Sequence, residues 1–125
     1  MVKAKRVILP NGLRVILVHQ PGALTTTVMA AVEAGSKYET KDINGISHFL
    51  EHMCFKGTEK RSKAMDIAAE LDSLGAHYNA FTSQEATSYY AKVKSEFFPA
   101  ALDVVADLYL NPVFDSREIE KEKGV

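Results

Sequence analysis

The segment Ile46-Ser47-His48-Phe49-Leu50-Glu51-His52-Met53 constrains this chain more than any other stretch. At about 100° per residue, an interval of four sets the imidazoles of His48 and His52 on one side of a helix, with Glu51 beside them. Ile46, Phe49, Leu50 and Met53 fall into a separate apolar stripe, roughly 160° from the centre of the polar group. The pattern predicts a helix with one face packed on a core and the other turned to a cleft. It also predicts chemistry. Two neutral imidazoles at this spacing suit a tetrahedral zinc ion at about 2.0–2.1 Å, and a carboxylate one turn away suits a general base acting on water.

The order His-x-x-Glu-His reverses the commoner His-Glu-x-x-His metallopeptidase motif and is the inverzincin signature. So short a pattern arises by chance in roughly one chain in a hundred of this composition, and the competing reading is a pair of solvated histidines. The opposed apolar stripe favours the metal.

Longer stretches carry a resemblance. Gly45 through Ser62, reading GISHFLEHMCFKGTEKRS, resembles the zinc-binding stretch of the M16 metallopeptidases, the group that includes pitrilysin, insulin-degrading enzyme and the mitochondrial processing peptidases. NGLRVIL at 11–17, AGSKYE at 34–39, NAFTS at 79–83 and TSYYAKV at 87–93 follow in family order. The resemblance implies that His48 and His52 are zinc ligands and Glu51 the catalytic base. It places Asn79, Ala80 and Phe81 on a sheet edge that pairs with an extended peptide substrate, and it matches Glu122 to a carboxylate that supports the metal site. The family's third ligand, a Glu on a later helix, would fall beyond Val125, so 1–125 corresponds to the first part of the zinc-binding domain. The implied activity is zinc-dependent endopeptidase action on peptides or unfolded segments, with further M16 domains or a partner subunit completing the assembly. The alternative is a non-catalytic scaffold or substrate-recognition subunit. Such members typically lose part of His-x-x-Glu-His, which here is intact.

At 46% hydrophobic and 25% charged, 125 residues suffice for one core and are too ordinary for disorder. A net charge of -1 with interspersed signs argues against a nucleic-acid partner. The lone Cys54 cannot form an internal disulfide. It reads as a small buried hydrophobe, against a fourth ligand or a redox sensor, and is compatible with a reducing compartment. Met1-Val2-Lys3-Ala4-Lys5-Arg6 leads into a short strand rather than an apolar signal region, and no run approaches the ~18 apolar residues of a membrane span. The expectation is a cytoplasmic protein without membrane association.

Residues 5–9 and 13–19 read as a hairpin around Pro10-Asn11-Gly12, and 25–34 as a third strand. Residues 37–43 read as a loop, with Asn44 the expected N-cap of the zinc helix. A helix from about Ser62 buries Ile67, Ala68, Leu71 and Leu74 and ends at Gly75, with Lys63, Asp66, Glu70 and Asp72 on a solvated face. Strands at 76–82 and 86–94 follow, the second placing Thr87, Tyr89, Ala91 and Val93 on one packed face. Without the resemblance, Asn79 reads as a turn-adjacent strand residue and Phe81 as a core aromatic. His19 and His77 lack partners at ligand spacing.

Ser95 is the expected cap of a helix with an apolar face of Phe97, Phe98, Ala101, Leu102, Val105, Leu108 and Tyr109, stopped by Asn111-Pro112. Asp115 and Glu118 form a capping-box pattern opening a last helix. There Glu122 lies about 60° from Ile119, toward the buried side, while Glu120 and Lys121 point further away. A solvated face is the competing reading for both glutamates. The whole reads as α+β, a largely antiparallel sheet covered on one face by amphipathic helices.

Overall fold

The structure is a computed structural model that describes residues 3–124. The chain runs β1 (Lys3–Ile8), β2 (Arg14–His19), β3 (Thr25–Val32), α1 (Ile46–Cys54), α2 (Ala64–Ser73), β4 (His77–Thr82), β5 (Thr87–Lys94), α3 (Phe98–Leu110) and α4 (Ser116–Glu122). All strand pairings are antiparallel, as expected, but they form two sheets: a β1-β2 hairpin and a three-stranded sheet ordered β3-β5-β4. The hairpin turns at Pro10-Asn11-Gly12, where Gly12 takes the positive φ (+85°) that Asn-Gly signals.

The three-stranded sheet anchors the core. Period-two alternation turns Tyr89, Ala91 and Val93 of β5 and Val28 of β3 to one face, where Ala101, Val104, Val105 and Leu108 of α3 meet them. Ile67 and Leu71 of α2 complete the cluster at helical spacing. β4 forms one edge of this sheet, so its outer side carries backbone groups that pair with no strand, the Ala80 amide among them donating to Asn79 Oδ1 at 2.8 Å.

Several local expectations are corrected. The segment 37–43, expected as a loop, carries two short 3-10 turns, Ser36–Tyr38 and Lys41–Ile43, joined by extended backbone at Glu39 and Thr40. Ser95 does not cap α3; it opens a 3-10 turn, and its Oγ lies 2.9 Å from Thr26 Oγ1. Of the expected apolar face of α3, Ala101, Val105 and Leu108 are buried, but Phe97, Phe98, Leu102 and Tyr109 are exposed and Asp107 is buried in their place. Phe81 is 47% exposed, on the sheet face away from the helices, so it is not a core aromatic. No described helix is long and apolar enough to cross a membrane.

Candidate metal centre

α1 is bounded at its start by Gly45, whose φ of +89° lies in the left-handed region that a side chain disfavours. Asn44 therefore precedes the cap of α1 and instead closes the 3-10 turn Lys41–Ile43. Its expected role falls to Glu39, which accepts from the Gly45 amide at 2.7 Å and the Ser47 amide at 2.9 Å. These amides, Gly45 first, hold the Glu39 carboxyl below the usual carboxylate range. A carboxylate at a helix start also opposes the positive end of its dipole.

The helix does not divide as its periodicity suggests. Ser47, Glu51 and Cys54, at i, i+4 and i+7, are buried along with Met53, while the expected core residues Ile46 and Leu50 are 38% and 41% exposed. α1 packs on β4 and β5 with its mixed polar side. Glu51 is thus driven inward, and Thr82 of β4 donates its hydroxyl to Glu51 Oε2. Thr87 Oγ1 lies 3.3 Å from the Thr82 hydroxyl but gives its own proton to the Ala34 carbonyl at 2.9 Å, which leaves the Thr82 proton to Glu51.

His48, Glu51 and His52 each present one donor atom within 4.8 Å of the others, and the two imidazole rings meet edge to face with centroids 4.3 Å apart. His52 Nδ1 lies 2.5 Å from Oε1 of Glu122, which reaches in from α4. A carboxylate only accepts, so Nδ1 carries a proton, and in the neutral ring this is the tautomer whose lone pair is on Nε2. This is how metal-binding histidines are commonly oriented from behind. The second Glu122 oxygen takes the ammonium of Lys56 at 2.7 Å. The hydrogen bonds from Lys56 and then His52 hold the Glu122 carboxyl below its ordinary range. The donor set, two imidazoles and adjacent carboxylate, fits a divalent transition-metal ion.

Two clefts flank the group. Glu51 and His52 border one of ≈ 400 Å³ with Phe55, Lys56, Tyr78, Asn79 and Ala80; His48 borders another of ≈ 450 Å³ with Glu39, Gly45, Thr82, Ser83 and Gln84. β4 thus runs past the donors with a cleft on either side. Of the three residues matched to a substrate strand, Asn79 and Ala80 line the first cleft, and Phe81 lines neither. His77 stands apart from the metal group, its ring 6.0 Å from that of Tyr90. Cys54 is buried outside the metal group and accepts from the Tyr89 hydroxyl at 3.4 Å; burial pushes its thiol pKa up, as suits a small core residue.

Sequence reasoning missed Thr82, Lys56 and Glu39. Lys56 was within reach, because it continues the i, i+4, i+8 row of His48 and His52. Thr82 shares the inward side of β4 with Tyr78 and Ala80 by simple alternation. Glu39 carried no local signal.

The model of the insulinase family, peptidase family M16, matches residues 14–125. Over 121 residues the chain is 48% identical to the uncharacterized zinc protease YmxG of Bacillus subtilis (strain 168), covering 97% of this chain and 29% of that protein. It is 49% identical over 117 residues to the mitochondrial-processing peptidase subunit beta of Bos taurus, covering 94% of this chain and 24% of that one. Among solved structures, a protease from Helicobacter pylori superimposes with a TM-score of 0.92 at 27% identity, over 98% of this chain and 30% of that one. Pitrilysin superimposes with a TM-score of 0.85 at 31% identity, over 98% of this chain and 13% of that one. The chain therefore spans less than a third of each of these relatives.

Proposed function

The chain belongs to the M16 (insulinase) peptidase family, and on that premise we propose that the whole protein is a zinc-dependent endopeptidase acting on peptides or unfolded segments. The observation that carries this reading is the convergence of His48, Glu51 and His52 within 4.8 Å, with His52 oriented by Glu122 through its far nitrogen. His48 and His52 would hold the ion. Two imidazoles leave a tetrahedral site short of protein donors, and a carboxylate downstream of these residues supplies the third. When bound, zinc polarises a scissile carbonyl and brings the pKa of water toward ~7.

Glu51 takes the proton from the attacking water and delivers it to the departing amine. The Thr82 hydroxyl occupies one of its oxygens, and no described residue hydrogen-bonds the other. The carboxylate is thereby held in one rotamer with an oxygen free for the proton. The substrate lies extended along the open edge of β4 at Asn79, Ala80 and Phe81, where alternation turns the backbone groups of Ala80 outward; the Asn79 side chain, which holds the Ala80 amide at 2.8 Å, yields it to the substrate backbone, and the flanking clefts take side chains. Remaining M16 domains, or a partner subunit, enclose the substrate.

Zinc analysis and peptide cleavage by the full-length protein beside a Glu51→Gln variant test this. The parent is expected to hold zinc and cleave an unfolded peptide, and the variant to keep zinc and lose cleavage. A parent that takes up no zinc overturns the reading in favour of the scaffold alternative.

A further inference from the structure

The contact between His52 and Glu122 joins residues 70 positions apart, and the helix that delivers Glu122 has only seven residues, too few to hold a place by itself. What fixes it is the corner just before it. There the loop after α1 and the link from α3 to α4 run antiparallel: Val113 donates to the Gly57 carbonyl at 2.9 Å, Glu59 donates to the Asn111 carbonyl at 3.2 Å, and Thr58 pairs with Pro112.

Beneath this short ladder lies a cluster the proposed chemistry does not use. Asp107, with 1% of its side chain exposed, accepts through Oδ2 from Arg61 Nη1 at 2.8 Å and from the Thr58 hydroxyl, and through Oδ1 from Asn111 Nδ2 at 2.9 Å. Arg61 is gripped in turn by both oxygens of Glu70, at 2.6 and 2.7 Å, and by Asp103 at 2.9 Å. The glutamate expected on a solvated helix face is committed here, which corrects the reading of the α2 surface.

A buried charge cluster adds little to stability over a well-packed apolar one, and what it supplies best is register, since a guanidinium fork and a carboxylate fit only one relative placement. Each Asp107 partner belongs to a strand of the corner: Thr58 and Arg61 to the loop leaving α1, and Asn111 to the link entering α4. We propose that Asp107 and Arg61 are positioning residues for the metal centre, latching the two sides of this corner so that Glu122 meets His52. The inference rests on the zinc reading above.

Zinc dissociation constants of the full-length protein, measured by competition with a chromophoric chelator, test it through a double-mutant cycle. Glu122→Gln is expected to weaken zinc about 10- to 100-fold. Asp107→Asn is expected to weaken it about tenfold. The combined variant should match Glu122→Gln within about threefold, because the latch acts through a contact already lost. Denaturant stabilities of the same proteins should still add. An Asp107→Asn protein with the parent's zinc affinity, or a combined loss equal to the product of the two, overturns the proposal and leaves the cluster a purely structural element. If Asp107→Asn does not fold, Arg61→Lys keeps the charge, loses the fork, and is judged by the same cycle against Glu122→Gln. A parent without zinc sinks the functional reading as well, whereas a zinc-binding parent with multiplicative losses sinks only the latch.

Discussion

Glu51 and Asp107 are both carboxylates carried into the interior, at 9% and 2% exposure, yet Glu51 meets one hydroxyl while Asp107 meets a guanidinium, a hydroxyl and an amide. The first keeps acceptor capacity in reserve and borders a cleft. The second has both oxygens engaged and borders none of the clefts described here. Two acids of similar depth are thus assigned different work by how far their hydrogen-bonding capacity is filled. Spare capacity next to open space is what a proton-transferring group requires. Full capacity next to a buried arginine is what holds elements in place.

That contrast can be broken at either end. The largest expected effect is on turnover: Glu51→Gln in the full-length protein should lower kcat by about 10² to 10⁴ while thermal unfolding shifts little, since only one hydroxyl is lost as a partner. Comparable loss of stability would place Glu51 with the structural acids. Asp107→Ala should do the reverse at the fold level, costing about 2–3 kcal/mol by leaving Thr58, Asn111 and part of Arg61 unsatisfied, as read from urea midpoints. An Ala variant as stable as the parent would show that the cluster is not engaged in solution.

pH sharpens the same distinction. Burial pushes the Asp107 carboxyl up, but hydrogen bonds from Thr58, Asn111 and Arg61 outweigh it and hold the group below its ordinary range. A depressed folded-state pKa contributes stability that is fully present above the unfolded value of about 3.9 and is lost as pH falls through the folded one. Denaturant midpoints should therefore drop steeply below about pH 4 in the parent and less steeply in Asp107→Asn. The smallest effect belongs to Thr82→Val, which removes the hydroxyl on Glu51. It should cost about 1 kcal/mol of stability or less, with a fall in kcat under tenfold. A loss as large as that of Glu51→Gln would mean that Thr82 itself takes part in proton transfer.

Elements with strong local periodicity were legible in the sequence: the Asn-Gly hairpin, the packed face of β5, the end of α2 at Gly75, and the stop of α3 at Asn111-Pro112. The capping pattern at α4 was half right. Asp115 accepts from the Arg117 and Glu118 amides, but the Glu118 carboxylate pairs with Lys121 instead of reaching back. Glu122 was placed on the correct side of its helix, because 60° from an apolar neighbour is enough to turn a side chain inward. The face of α1 was not legible. Its apolar stripe predicted that Ile46 and Leu50 would pack, whereas the sheet receives Ser47, Glu51 and Cys54. A helix departs from its ordinary amphipathic preference when a carboxylate is brought against a strand. The Glu70–Arg61 pair was not legible for a related reason, because a charged residue on a helix surface or in a loop looks the same in sequence whether it meets water or an opposite charge.

The sequence alone determined that His48, Glu51 and His52 stand together, since a helical turn is set by local backbone geometry and needs no other part of the chain. Only the tertiary structure decided which way that turn faces, that Thr82 seats Glu51 from 31 residues away, and that Glu122 orients His52 from 70. Those contacts depend on where separate elements come to rest, and no residue spacing within one element records the distance to another.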